Sequence, residues 1–282
     1  MIFNARYFVQ KVKRKTRCNK DMAFFVTGRI FGLICLIAIA GAVTYYIRRA
    51  RGGKVSQVRR LAGIDAITEA IGRAVEMGRP IFCSHGISDM RNATYGPQTI
   101  AGLSVLSFVA TRCVELGARL IVPCRNTEVW PVATDIVETA YKMAGKPEEF
   151  NIDDVTYLSS DQFGYSSNYL GMMMREKPGA NIMVGAYWAE SLQLAETGNR
   201  IGAMQVSGTA NTHQLAFFVI ATDYCLIGEE IFAAGAYVTE DPVFISSIAG
   251  QDFGRIIAVA LMILGTILFT FGSEALINLV DW

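Results

Sequence analysis

Residues 118–145 read ARLIVPCRNTEVWPVATDIVETAYKMAG. The apolar run Arg119–Pro123 predicts a strand. A polar loop follows over Cys124–Trp130, and Pro131 stands where the first turn of a helix tolerates proline. That helix runs to about Ala144, and Gly145 closes it. Strand, polar loop, helix is the unit, and it recurs along the chain.

Upstream, Ile64, Ile67, Ile71 and Val75 fall three and four apart, one apolar stripe of a helix over 64–77. Gly78 and Pro80 end it. A strand follows at Pro80–Cys83 and stops at Ser84-His85-Gly86. Beyond the polar loop Ile87–Gly96, a helix over Gln98–Leu116 is small and apolar almost all round, so it should be buried on several sides. Ser104, Ser107 and Thr111 interrupt it and Arg112 closes it, which argues a core helix rather than a membrane span. Downstream come a third strand at Val155–Leu158, a polar loop at Ser159–Ser167 and a Met-rich helix to about Arg175. A fourth strand at Ala180–Ala186 precedes a helix at Ala189–Thr197, ended by Gly198. A fifth strand at Ala203–Val206 leads into the loop Ser207–Thr212. Leu215–Ala221 (LAFFVIA) reads as the sixth strand, and Glu229–Tyr237 as the last helix. The alternation predicts an α/β domain: a largely parallel sheet with helices on both faces, Rossmann-like.

Two apolar stretches frame this domain. Ile30–Ile47 (IFGLICLIAIAGAVTYYI) and Ile256–Ser273 (IIAVALMILGTILFTFGS) are each eighteen residues without a charge. Eighteen helical residues cover about 27 Å, close to the hydrocarbon thickness of a bilayer. The expected organisation is a basic tail over 1–29, transmembrane helices at 30–47 and 256–273, a basic linker over 48–60, the α/β domain over 61–254 and a short tail over 274–282. Thr239–Gly254 leads into the second span. The hairpin puts both termini on one side of the membrane and the domain on the other. Eight Lys and Arg flank the spans on the terminal side and seven on the domain side, so the positive-inside rule does not choose between them. Six cysteines (18, 35, 83, 113, 124 and 225) include no CxxC pair and suit buried thiols in a reducing compartment. A cytoplasmic domain follows. The N-terminal run MIFNARYFVQKVKRKTRCNK is either a solvated tail or an interfacial segment with its lysines on anionic lipid. A net charge of +1 gives no ground to expect nucleic acid, and a mean hydropathy of +0.32 fits a chain with membrane helices.

The runs LAGIDAITEAIGRAVEMGRPIFC (61–83), ARLIVPCRNTEVWPVATDIVETAY (118–141) and LIGEEIFAAGAY (226–237) resemble a family of prokaryotic membrane-anchored proteins, a domain of unknown function. The likeness spans roughly 48–250. It implies an α/β domain just inside a membrane helix, and it supplies no activity and no catalytic residues.

In open α/β sheets, ligands bind at the carboxyl ends of the strands. The strand ends here offer Ser84, His85 and Asp89; Arg125 and Asn126; Asp161; and Ser207, Thr209, Asn211 and His213. On the expected sheet these side chains converge on one crevice. His85 and His213 admit a shared metal, an acid/base pair, or a plain structural role in their loops. Ser207–Thr212 has the small residues that let backbone amides cradle a phosphate. Arg125 suits an anionic ligand or an ion pair with Glu128 or Asp161. The sequence holds no GxGxxG, no Walker loop, no GxSxG and no HExxH. No cofactor and no metal are called for.

Two functions follow from this pattern. One is a membrane-anchored homo-oligomeric scaffold, its subunit contacts covering apolar faces of the helices at 98–116 and 169–174. The alternative is a membrane-bound protein that binds, or hydrolyses, a phosphorylated or nucleotide ligand in the strand-end crevice.

Overall fold

Each strand of the domain is followed by a helix, and a strand that must return through a helix pairs parallel to its predecessor. The computed structural model, which describes residues 30–51, 62–239 and 242–271, has this form. Helix α1 (Ile30–Arg51) precedes α2 (Ala62–Glu76). Then come β1 (Ile81–Gly86), α3 (Gly96–Leu116), β2 (Leu120–Cys124), α4 (Trp130–Met143) and β3 (Val155–Tyr157). They are followed by α5 (Gln162–Glu176), β4 (Ala180–Ala186), α6 (Glu190–Ile201), β5 (Met204–Thr209) and α7 (Thr212–Ala221). Strand β6 (Tyr224–Ile227) and helices α8 (Glu230–Thr239) and α9 (Pro242–Thr270) complete the order. The tails expected over 1–29 and 274–282 and the Gly52-Gly53 linker lie outside the described residues.

The six strands form one sheet in the order β3-β2-β1-β4-β5-β6, parallel at every pairing. This is the doubly wound order, and the direction of winding reverses between β1 and β4. The inner strands β1, β2, β4 and β5 are buried along their whole length, as a sheet covered on both faces requires. One apolar layer joins α2, α3, α4 and α8 to the sheet through Ile67, Ile71, Leu106, Val109, Val137 and Ile231. The other joins α5, α6 and α7 through Tyr165, Tyr169, Met173, Leu194 and Phe218. The Rossmann-like fold is therefore the one expected.

Several elements differ in detail. LAFFVIA is not the sixth strand but the body of α7. Asn211 accepts the His213 N–H and starts a helix there, and β6 follows at Tyr224–Ile227. Asp161 accepts the Gly164 N–H, so α5 begins at Gln162 inside the expected loop. Gly198 does not end α6. It lies within the helix because a Cβ there would stand 2.1 Å from Gln205 Oε1, and Gly202, in left-handed conformation, makes the stop. Ser84–Gly86 and Ser207–Thr209 belong to β1 and β5 rather than to loops. The segment leading into the second apolar stretch is itself helical from Pro242.

Among the described residues, three helices are long and apolar enough to cross a membrane: α1, α3 and α9. They are not alike in packing. Within their apolar windows 56% of α3 is buried, against 6% for α1 and none of α9. The chain divides into two compact units, residues 1–45 with 250–282, and Tyr46–Ala249. In the first, a Cβ on Gly254 of α9 would stand in ordinary van der Waals contact with Ile39 of α1, at 3.6 Å.

Helix α3 lies hard against the sheet where the winding reverses. A Cβ on Gly102 would meet Val184 O at 2.3 Å and His85 Cα at 2.9 Å. Both neighbours are backbone and cannot swing aside. Gly72 of α2, by contrast, has nothing within 4 Å of its missing Cβ. Gly102→Ala is expected to destabilise the domain by about 2–3 kcal/mol through overpacking. Gly72→Ala is expected to add about 0.5–1 kcal/mol through helix propensity. Thermal unfolding of the two variants beside the unsubstituted protein checks both signs.

Candidate functional site

The strand ends are tied to one another by the chain's own polar groups. After β1, the Ile87 N–H donates to Ala186 O at 2.9 Å, and the Ile87 carbonyl accepts from Arg125 Nη1 at 2.7 Å and Asn126 Nδ2 at 3.1 Å. That joins the loops after β1, β2 and β4. Gln98, in the first turn of α3, accepts the Ala210 N–H at 3.1 Å and so reaches the loop after β5. Asn211 Nδ2 donates to the Tyr187 carbonyl at 3.0 Å, joining the loops after β4 and β5. Tyr187 OH donates to the Ser84 carbonyl at 3.1 Å. Over the point of reversal, Tyr95 meets Trp188 edge to face with ring centroids 4.9 Å apart.

The loop between β1 and α3 is folded onto itself. Asp89 Oδ1 accepts the Asn92 N–H, and Asn92 Oδ1 accepts the N–H groups of Thr94 and Tyr95. The backbone of Met90 closes on the start of α3, where a Cβ on Gly96 would stand 2.5 Å from Met90 O. In a doubly wound sheet the helix start after β1 is where a phosphate is ordinarily held. Here the chain's own loop stands over it.

Beneath these loops the polar side chains are paired, with two exceptions. Ser84 Oγ and Tyr165 OH lie 2.9 Å apart. Glu190 is buried, accepts the Trp188 N–H at 2.8 Å and takes a second hydrogen bond from Gln162 Nε2. Burial raises the pKa of Tyr165 and of Tyr187, so both keep their phenolic protons. The exceptions are His85, fully buried with neither ring nitrogen partnered, and the Nε of Arg125. Burial lowers the His85 pKa from 6.5 to about 4, so the imidazole is neutral at pH 7.

The expected site residues do not form one constellation. Ser84, His85, Arg125, Asn126, Thr209 and Asn211 stand at neighbouring strand ends. Ser84 and His85 are successive strand residues and point to opposite faces of the sheet. Asp161 and Asp89 close local turns. His213 is exposed in the first turn of α7, on the face away from His85. Ser207 bonds Thr222 Oγ1 at 2.7 Å and its strand pairs on both sides, while the Ala210 and Asn211 N–H groups donate to Gln98 Oε1 and Thr209 Oγ1. Arg125 takes neither expected carboxylate. Glu128 pairs with Arg91 at 3.2 Å, and Arg125 turns to the Ile87 carbonyl. Sequence reasoning missed Gln98, Tyr187 and Tyr95, whose partners are remote in the chain.

Cys83, Cys113 and Cys124 are buried free thiols. Burial pushes Cys113 and Cys124 up to about 12 and Cys83 well above its usual value, so all three are small apolar side chains at neutral pH. Among the described residues, no group of His, Cys, Asp or Glu is arranged to hold a metal ion. A depression of about 500 Å³ opens at the opposite end of the sheet, lined by Arg73, Glu76, Asn199, Met204 and Asp223.

The His85 shift sets a pH dependence. Between pH 6.5 and 4 the unfolded chain binds a proton at this residue and the folded chain does not. Its contribution is therefore complete above pH 6.5 and is lost as pH falls toward 4, by roughly 3 kcal/mol. Replacing the imidazole by an apolar group also removes two unpartnered buried nitrogens. His85→Leu is expected to raise stability by about 1 kcal/mol at pH 7 and by more at pH 5. Unfolding midpoints of the two proteins across this range check it, and parallel pH curves would contradict it.

No curated protein and no solved structure matches the chain. The family described as Domain of unknown function (DUF6754) matches residues 20–280, the α/β domain together with both flanking apolar helices. The chain belongs to that family.

Proposed function

We infer that the protein is a membrane-anchored, homo-oligomeric scaffold. In this reading α1 and α9 cross the bilayer as a hairpin, and the α/β domain stands on the cytoplasmic side. The basic N-terminal run rests against anionic lipid. The observation that carries the reading is the knitting of the strand ends. Four loops that serve ligands in doubly wound domains are here hydrogen-bonded to one another, from Ile87 to Arg125 and Asn126, from Gln98 to Ala210, and from Asn211 to Tyr187. A domain built so presents a surface rather than a cleft at its strand ends.

Apolar side chains left open on the domain support contact between copies. Ile100 and Leu116 of α3 and Phe163 and Met174 of α5 are exposed. The mass of the protein in lipid nanodiscs, from light scattering corrected for lipid, is expected to be a multiple of the 30.9 kDa chain. A single chain over a wide concentration range would overturn the scaffold reading.

The unpartnered His85 favours a second reading, in which a phosphorylated ligand enters when the β1–α3 loop opens. ATP or inorganic phosphate would then raise the unfolding midpoint of the unsubstituted protein and not of His85→Leu. Equal shifts, or none, would remove His85 from any such role.

A further inference from the structure

Helix α7 differs from its neighbours. Its ten residues, THQLAFFVIA, include no Asp, Glu, Lys or Arg, whereas each of α2–α6 and α8 has at least one. Phe218 is its one buried residue, edge to face on Tyr187 at 5.3 Å between centroids. Phe217, Val219 and Ile220 point outward, 40%, 51% and 85% exposed. Phe217 and Ile220 are three residues apart and share one face of the helix. On the neighbouring edge strand Ile227, which shares the sheet face of Cys225 and α7, is exposed as well. A helix on the surface of a globular domain ordinarily carries its charges on the outer side. A contiguous apolar face in that place marks contact with a partner or a membrane.

We propose that α7 lies on a lipid bilayer, with Phe217, Val219 and Ile220 in the boundary between headgroups and acyl chains. The proposal rests on reading α1 and α9 as membrane spans. Connectivity brings a bilayer within reach of the domain. Helix α8 ends at Thr239 and α9 begins at Pro242, and ten residues join Arg51 to Ala62. The two ends of the domain thus run, within two and ten residues, into the helices read as spans. Chemistry agrees. The face carries no Asp, Glu, Lys or Arg, and the exposed His213, four residues before Phe217 and seven before Ile220, is the polar group at its margin. The edge strand is also guarded against pairing with another copy. The Gly228 N–H turns inward to Thr209 O, so the Ile227 N–H faces the open edge, where Glu230 Oε2 accepts it at 3.0 Å.

The test uses the full chain in vesicles whose lipids carry bromine on the acyl chain near the headgroup, a short-range quencher of tryptophan. Ile220→Trp reports on α7, and Leu36→Trp, in α1, reports on the span. The unsubstituted protein supplies the background from Trp130, Trp188 and Trp282. Both added tryptophans are expected to lose about half or more of their emission, as interfacial and membrane-buried rings do. Quenching of Leu36→Trp without Ile220→Trp would overturn the α7 proposal alone. Aqueous acrylamide then tells whether that ring faces water or lies under a second copy. An unquenched Leu36→Trp would overturn the membrane reading itself, and α7 docking with it.

Discussion

At the centre of the domain β1, β4 and α3 meet closely at three glycines, without side chains between them. Gly86 has φ of 89° and lies so near β4 that a Cβ would stand 2.6 Å from Ala186 N. Gly185, with φ of 148°, faces His85 O at 2.1 Å on the same measure, and Gly102 brings α3 onto both strands. The β1–β4 register shifts between Ser84 and Gly86 to accommodate this approach. Everything above depends on it. The shift carries Ile87 over β4, so that its N–H reaches Ala186 and its carbonyl turns toward β2, where Arg125 and Asn126 bind it.

From that point the polar groups of the strand ends find partners inside the chain. Each bond is ordinary, worth about 1 kcal/mol net, but the cost of leaving a buried group unpaired makes the set act together. Opening the β1–α3 loop strips Arg125, Asn126 and Thr99 of their bonds to Ile87 and Ser88 at one time. The same logic holds lower in the sheet. Tyr169 OH donates to Asn181 Oδ1 at 2.8 Å, and Asn181 is opposite Gln205, whose amide reaches Ala195 O at 2.8 Å. Buried side-chain amides facing each other across β4 and β5 fix the register of that pair, since a slip of one residue would turn them to the other face.

Much of this was legible in the sequence, and the failures have physical causes. The repeated strand–loop–helix pattern foretold the parallel sheet and both helical layers, because each element carries its own periodicity and stop signals. LAFFVIA misled because a short apolar run of β-branched and aromatic residues has no period that separates strand from helix. The Asn211 cap was the available clue. Gly198 read as a stop because its reason for being glycine, the Gln205 side chain, lies across a strand boundary. At the strand ends, the positions of Ser84, His85, Arg125, Asn126 and Asn211 were found, but not their pairings. Gln98 with Ala210 and Tyr95 with Trp188 are contacts between residues about a hundred apart, set by the fold rather than by any local pattern.

As proposed above, this domain closes its strand ends with its own loops and serves as a scaffold at a membrane. Imaging single particles of the full chain in lipid nanodiscs tests it most directly. The account predicts a homo-oligomer in which Tyr95 remains on Trp188 and the Ile87 carbonyl on Arg125, with the density at the reversal point accounted for by protein. A single chain with those contacts parted and a bound molecule between the loops after β1 and β4 would contradict it.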